Sequence, residues 1–139
     1  MPRVSVLLPV RDAADTLPEC LDSLADQTLA DHEIVTVDDG SQDGSAELLE
    51  ARASRDPRLR LLRTPPRGLV SALNLALTET RASLVVRMDA DDVAHPERLE
   101  RQARQLETDT RVDVLGSRVE LLSAAGVPPS GGCRPTWTG

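Results

Sequence analysis

Three carboxylates, Asp89, Asp91 and Asp92, follow directly on an apolar run in VVRMDADDVAHP, residues 85–96. Like charges that close repel and raise one another's pKa unless a cation or hydrogen-bond donors offset them. Something positive is therefore expected beside them, either a metal ion or a helix N-terminus. A hard divalent cation takes oxygen ligands, commonly one or two carboxylates completed by phosphate oxygens and water. Asp89 and Asp91 stand at i, i+2, which in an extended segment leaving a strand puts both side chains on one side. Such a pair could hold Mg²⁺ or Mn²⁺ against a diphosphate, where the ion neutralises charge on a departing phosphate. The plainer alternative is that Asp92 favours the next helix through its dipole, and that a short acidic string has arisen by chance.

A second acidic pair, Asp38 and Asp39, opens the turn DDGSQDGS (38–45). Ionised carboxylates accept hydrogen bonds and donate none, so the pair suits a ligand presenting N–H or hydroxyl groups, such as a nucleobase edge or a ribose. The turn's glycines allow close approach of a ligand to the backbone. The structural alternative is an ordinary turn, with Asp43 and Ser45 acting only as helix caps. Arg11 and Arg67 read as solvated charges, and His95 as a helix-start residue beside Pro96.

These residues must be positioned by something, and the hydrophobic pattern indicates what. VSVLLPV (4–10), HEIVTV (32–37), RLRLL (58–62) and SLVVRM (83–88) read as strands, with VDVLGS (112–117) as a fifth. Between them Leu17, Cys20, Leu21 and Leu24 form an i, i+3, i+4, i+7 stripe, preceded by a Thr16–Glu19 capping box. Further helices are predicted over about 45–55, over 69–79 as a well-buried element, and from HPERLERQARQLE, with Pro96 near its first turn. Strand and helix alternate throughout, which predicts an α/β fold: a Rossmann-like, mostly parallel sheet with helices on both faces. Ligands in such sheets bind beyond the C-terminal strand ends. Arg11–Asp12, Asp38–Asp39 and Asp89–Asp92 each follow a predicted strand, so all three groups are expected at one rim.

Composition removes several alternatives. The 139 residues are 40% hydrophobic, with no Phe, no Tyr and one Trp, and the net charge is −7. Nucleic-acid binding through aromatic stacking or a basic footprint is thereby disfavoured. All 16 basic residues are Arg, which excludes a Walker A lysine, a Schiff-base lysine and a lysine base. Cys20 and Cys133 suggest neither a disulfide framework nor a zinc site, and Cys20 is expected in the core. No apolar run is long enough to cross a bilayer and no signal-peptide layout is present, so a cytoplasmic chain is expected.

Taken together, VSVLLPVRDAADTLPECLDSLADQT, EIVTVDDGSQDGS, GLVSALNLAL and LVVRMDADDVAHPERLERQ resemble the N-terminal, nucleotide-binding half of a family 2 glycosyltransferase of the GT-A fold. The likeness runs from about residue 3 to residue 122. It implies that Pro9, Val10, Arg11 and Asp12 lie along the nucleotide and that Asp39, with Asp38 beside it, reads the base, commonly uracil. It implies too that Asp89-Ala90-Asp91 is the DxD motif, with Asp89 towards ribose and metal and Asp91 a direct ligand of Mn²⁺ or Mg²⁺. The family often has an aromatic residue and Asn where this chain has Arg11 and Asp12. Many relatives carry a basic residue where this chain has Leu69.

The resemblance implies transfer of a sugar, with inversion, from a nucleotide-sugar donor (a UDP-sugar) to an acceptor it does not identify. The catalytic base belongs to the family's second half, so no catalytic residue is assigned here. The expectation is a nucleotide-sugar-binding subdomain over residues 1–122 and an irregular tail over 123–139, a truncated or frameshifted reading of a longer enzyme. Any membrane association is expected to be made through the remaining half of the full-length enzyme. An incomplete sheet predicts an unpaired edge and self-association. Two other readings stand beside this one. One is a non-catalytic nucleotide-binding remnant or interaction module. The other is a haloacid-dehalogenase-type phosphatase, disfavoured because DADDV follows the fourth strand and no Lys is present.

Overall fold

The computed structural model describes residues 1–120. Four strands, β1 (Val4–Val10), β2 (His32–Asp39), β3 (Leu59–Thr64) and β4 (Leu84–Arg87), form one parallel sheet in the order β3-β2-β1-β4. Helices α1 (Leu17–Ala25), α2 (Ser45–Ala53) and α3 (Leu69–Thr78) connect successive strands, and α4 (Arg98–Thr108) follows β4. β1 and β2 are buried along their whole length. That is the condition under which parallel strands read as continuous apolar runs.

The connections dictate where the helices lie. The chain steps from β1 to β2 to β3 in one direction, so two right-handed crossovers put α1 and α2 on one face. It then returns past β1 to reach β4, and the same handedness puts α3 on the other face. The core divides accordingly. Val4, Val6, Leu8, Val10 and Ile34 pack with the α1 stripe, Leu49 of α2, and Leu99 and Ala103 of α4. Leu7, Val35 and Val37 pack against Ala72 and Ala76 of α3. The reversal of direction makes the gap between β1 and β4 the switch point of the sheet.

Pro9 helps to open that gap. The Leu7 carbonyl accepts a hydrogen bond from the Met88 N–H, at 3.0 Å. Leu7 is thus directed to the β4 side, and so is Pro9 two residues on. The last β4 pairing is Leu7 with Arg87. The next rung would run from the residue 9 N–H to the Met88 carbonyl; proline lacks that N–H and so sits where the β1–β4 ladder ends.

Four expectations need correction. Residues 112–117 form no strand, and Val114 is exposed; alternation alone cannot satisfy a lone strand's backbone without a partner. The Thr16–Glu19 capping box is not made: the Thr16 hydroxyl donates instead to the Ala90 carbonyl at 3.0 Å. α4 begins at Arg98, with Pro96 before the helix; the Pro96 carbonyl is held by the Thr28 N–H. α3 is only half covered. Ala72 and Ala76 are buried, but Leu69, Val70 and Leu77 are exposed, because four strands offer no surface beyond the small residues at the contact. The proposed tail over 123–139 lies outside the described residues.

Candidate functional site

A cleft of about 640 Å³ opens at the C-terminal strand ends. Its lining includes Pro9, Val10, Arg11 and Asp12 from the end of β1, Asp39 from β2, and Arg87, Asp89 and Asp91 from β4 and the turn after it. Asp39 and Asp91, 52 positions apart in the sequence, thus share one crevice. Gly68 and Leu69 close it on the α3 side.

Asp39 is the most heavily constrained side chain there. It is buried, and its Oδ1 accepts the Arg67 N–H at 2.7 Å while Oδ2 accepts the Gly68 N–H at 2.9 Å. The Thr64 hydroxyl lies 3.4 Å from Oδ1 and the Arg11 guanidinium 3.7 Å from Oδ2. The Arg67 N–H above all, with the Gly68 N–H and Arg11, holds the Asp39 carboxyl below the usual carboxylate range, against the opposing effect of its burial. Asp38 behaves differently. Successive strand residues point to opposite faces, so Asp38 is directed away from Asp39. It is buried, accepts the Ser41 N–H at 3.2 Å and lies 3.6 Å from the Arg63 guanidinium. It is not among the residues lining the cleft.

The loop after β1 is clasped to the turn after β2. Asp12 N–H donates to the Ser41 hydroxyl at 3.0 Å, Ala13 N–H to the Ser45 hydroxyl at 2.9 Å, and Ala14 N–H to Asp43 at 2.9 Å. In return the Asp12 carboxylate accepts the Gln42 N–H at 2.7 Å. Asp12 itself has φ of 48°, the left-handed region that Asp tolerates better than most residues. Gly44 takes the N-cap position of α2, and Asp43 accepts the Ser45 N–H and hydroxyl. These side chains therefore do more than cap a helix: they fix the wall of the cleft on which Arg11 stands.

The DADD segment turns rather than running on extended, and the Asp92 N–H bonds back to the Asp89 carbonyl at 3.1 Å. The turn brings Asp91 to the cleft, while the Asp89 carboxylate is taken by Arg87. Its Nε and Nη2 lie 3.2 Å and 3.0 Å from Oδ1, and Nη2 lies 3.3 Å from Oδ2. Among the described residues no group of three or more His, Cys, Asp or Glu side chains is gathered as a metal cage. Two hard oxygen donors on an open cleft do fit a cation that completes its shell with ligand phosphate and water. Cys20, beneath this turn, is buried, and burial pushes its thiol up to about 12. It is an inert core residue, as expected.

Sequence reasoning missed Arg87, Ser41 and the backbone N–H groups of Arg67 and Gly68. The Arg87–Asp89 spacing of i, i+2 was a usable signal. The others depend on contacts across about 28 residues of sequence, for which no local signal exists.

A parallel sheet whose strand order reverses, with polar side chains gathered at the switch point, is a doubly wound α/β domain, a class that binds its ligands in that crevice. Residues 5–123 match the model of glycosyl transferase family 2, and the chain belongs to that family. It is 34% identical over 116 residues to the uncharacterized glycosyltransferase EpsJ of Bacillus subtilis (strain 168), covering 84% of this chain and 33% of that protein. Among solved structures it resembles S. aureus TarS 1–349 in complex with UDP, with a TM-score of 0.79 and 28% identity over 94% of this chain and 39% of that one. It also resembles the mannosyltransferase PcManGT from Pyrobaculum calidifontis in complex with GDP-Man and Mn²⁺. There the TM-score is 0.70 and identity 32%, over 76% of this chain and 32% of that one. The chain thus spans 33% of the length of EpsJ and has the parallel sheet of the GT-A fold.

Proposed function

We propose that this chain is the donor-binding half of a metal-assisted, inverting glycosyltransferase that takes a nucleotide sugar, with UDP as the nucleotide. One observation carries the reading: Asp39, Asp89 and Asp91 line a single crevice at the switch point of the sheet. Oδ2 of Asp39 accepts one hydrogen bond, from Gly68, and a carboxylate oxygen can take a second. That remaining capacity suits the ring N–H of a uracil. Arg11 beside it would face the base or ribose, with Pro9, Val10 and Asp12 forming the edge along which the nucleoside lies. Asp91, and Asp89 once free of Arg87, would hold Mn²⁺ or Mg²⁺. A bound divalent cation supplies charge neutralisation for the departing diphosphate.

The TarS complex with UDP and the PcManGT complex with GDP-Man and Mn²⁺ support a nucleotide-sugar donor and a divalent metal. In this reading the base that deprotonates the acceptor hydroxyl is supplied by polypeptide beyond the donor-binding half. We also propose that the chain self-associates with a second copy through the outer edge of β4, which has no strand partner among the described residues.

Titration calorimetry of the chain with UDP, with and without Mn²⁺, tests the donor reading. UDP is expected to bind in the presence of Mn²⁺, and Asp91→Ala to weaken that binding about tenfold or more. Absence of UDP binding by the wild-type chain with Mn²⁺ present refutes it, and tighter binding of GDP than of UDP refutes the choice of nucleotide.

A further inference from the structure

Arg87 stands in the cleft with both oxygens of Asp89 on its guanidinium. We propose that Arg87 is a resident counter-ion that withholds Asp89 from a divalent cation until a nucleoside diphosphate draws the guanidinium away. The inference rests on the donor reading above. It concerns what Arg87 does to metal and nucleotide binding, which that reading leaves unspecified.

Three observations support it. First, the pair competes with a cation: two charge-assisted contacts fill Oδ1 of Asp89 and a third takes one of the two sites on Oδ2. A cation held by Asp89 would also face the positive guanidinium at short range. Second, the pair is easily broken. The side chains of Arg87 and Asp89 are 53% and 46% exposed, and ion pairs so exposed to solvent contribute little. Third, only the side chain is free to move. The Arg87 carbonyl is held by the Arg98 guanidinium at 3.0 Å, and the next residue's N–H by the Leu7 carbonyl at 3.0 Å. The guanidinium therefore turns on a fixed strand end, with the cleft in front of it.

A diphosphate offers that guanidinium several anionic oxygens arranged for bidentate contact, a better partner than one exposed carboxylate. Once turned to the diphosphate, Arg87 leaves Asp89 bare. Metal and nucleotide then favour one another by the same factor in either order of addition, as linkage requires. The free protein holds a lone cation weakly, and part of the charge on the donor is met by Arg87 itself.

Mn²⁺ binding to the chain, read from loss of the free-ion EPR signal with and without UDP, tests this. Arg87→Met is expected to bind Mn²⁺ alone about threefold to fivefold more tightly than wild type, and the factor by which UDP strengthens Mn²⁺ binding is expected to fall correspondingly. Arg87→Lys keeps the charge and should stay near wild type for Mn²⁺ alone. The inference is overturned if Arg87→Met binds Mn²⁺ no more tightly than wild type, if the coupling to UDP is unchanged, or if Arg87→Lys behaves as Arg87→Met does. Wild type that couples UDP to Mn²⁺ alongside an indifferent Arg87→Met defeats this inference and leaves the donor reading standing. Wild type that shows no Mn²⁺-dependent UDP binding defeats both.

Discussion

His32 is buried at the start of β2, with Nδ1 2.6 Å from the Leu29 carbonyl oxygen. A carbonyl only accepts, so Nδ1 carries the proton in the neutral ring, and Nε2, buried and without a hydrogen-bond partner among the described residues, carries none. Protonating the ring would put a full charge in this buried site, close enough to Arg58 to feel its positive charge. Burial, above all, holds the His32 pKa below its ordinary value. The unfolded chain thus takes up this proton first as pH falls. Stability contributed by neutral His32 is complete above the unfolded pKa of about 6.5 and is lost as pH drops from there towards the folded value. Thermal unfolding compared at about pH 7.5 and pH 5.5 should show the wild type losing stability over that interval and His32→Gln losing less; equal losses would remove His32 from the account. The same scale separates Asp38 from Asp39. The letters pair them, yet strand alternation sends Asp39 to the cleft and Asp38 to the other face, under Arg63.

Among the elements, the turn after β2 and the loop before α3 are fitted to each other. Gly40 has φ of +74°, and a Cβ there would lie 2.7 Å from Pro66 Cδ and 2.9 Å from its backbone N. The contact holds the stretch whose next two N–H groups clamp Asp39. Gly44 has φ of +94° with nothing within 4 Å of the same position. Both residues carry the left-handed penalty for a side chain, about 1–2 kcal/mol, but only Gly40 adds a backbone collision. Gly40→Ala is therefore expected to cost more stability than Gly44→Ala, by about 1 kcal/mol or more, read as a lower urea midpoint at unchanged slope. Equal midpoints for the two variants would mean that the Pro66 contact yields freely. DDGSQDGS was legible as a turn that lets a ligand near. Its use as one half of a clasp was not, because Ser41, Asp43 and Ser45 find their partners in the loop after β1.

At the scale of the whole molecule, β4 pairs with β1 on one side and has no strand partner on the other among the described residues. Val85 on that strand and Leu69, Val70 and Leu77 on α3 are exposed. A free edge beside uncovered apolar side chains is a template for pairing. The proposed self-association is expected to appear as a concentration-dependent rise in mass in sedimentation velocity, and Val85→Lys to reduce it. A chain that stays monomeric over about 10–200 µM, where edge-exposed species associate, would exclude that contact.

Apolar runs of strand length alternating with helical stripes were enough to set a parallel α/β sheet, because burial on both faces and right-handed crossover leave few other arrangements. They also put Asp39 and Asp89–Asp91 at the same rim, since each follows the C-terminal end of a strand running the same way. Local letters could not assign partners. Whether an acidic side chain meets a backbone N–H, an arginine or open solvent depends on which loops the strand order makes adjacent. Only the folded sheet, by bringing the turns after β1, β2 and β4 and the loop before α3 around one switch point, gave Asp39 its clamp and Asp89 its arginine.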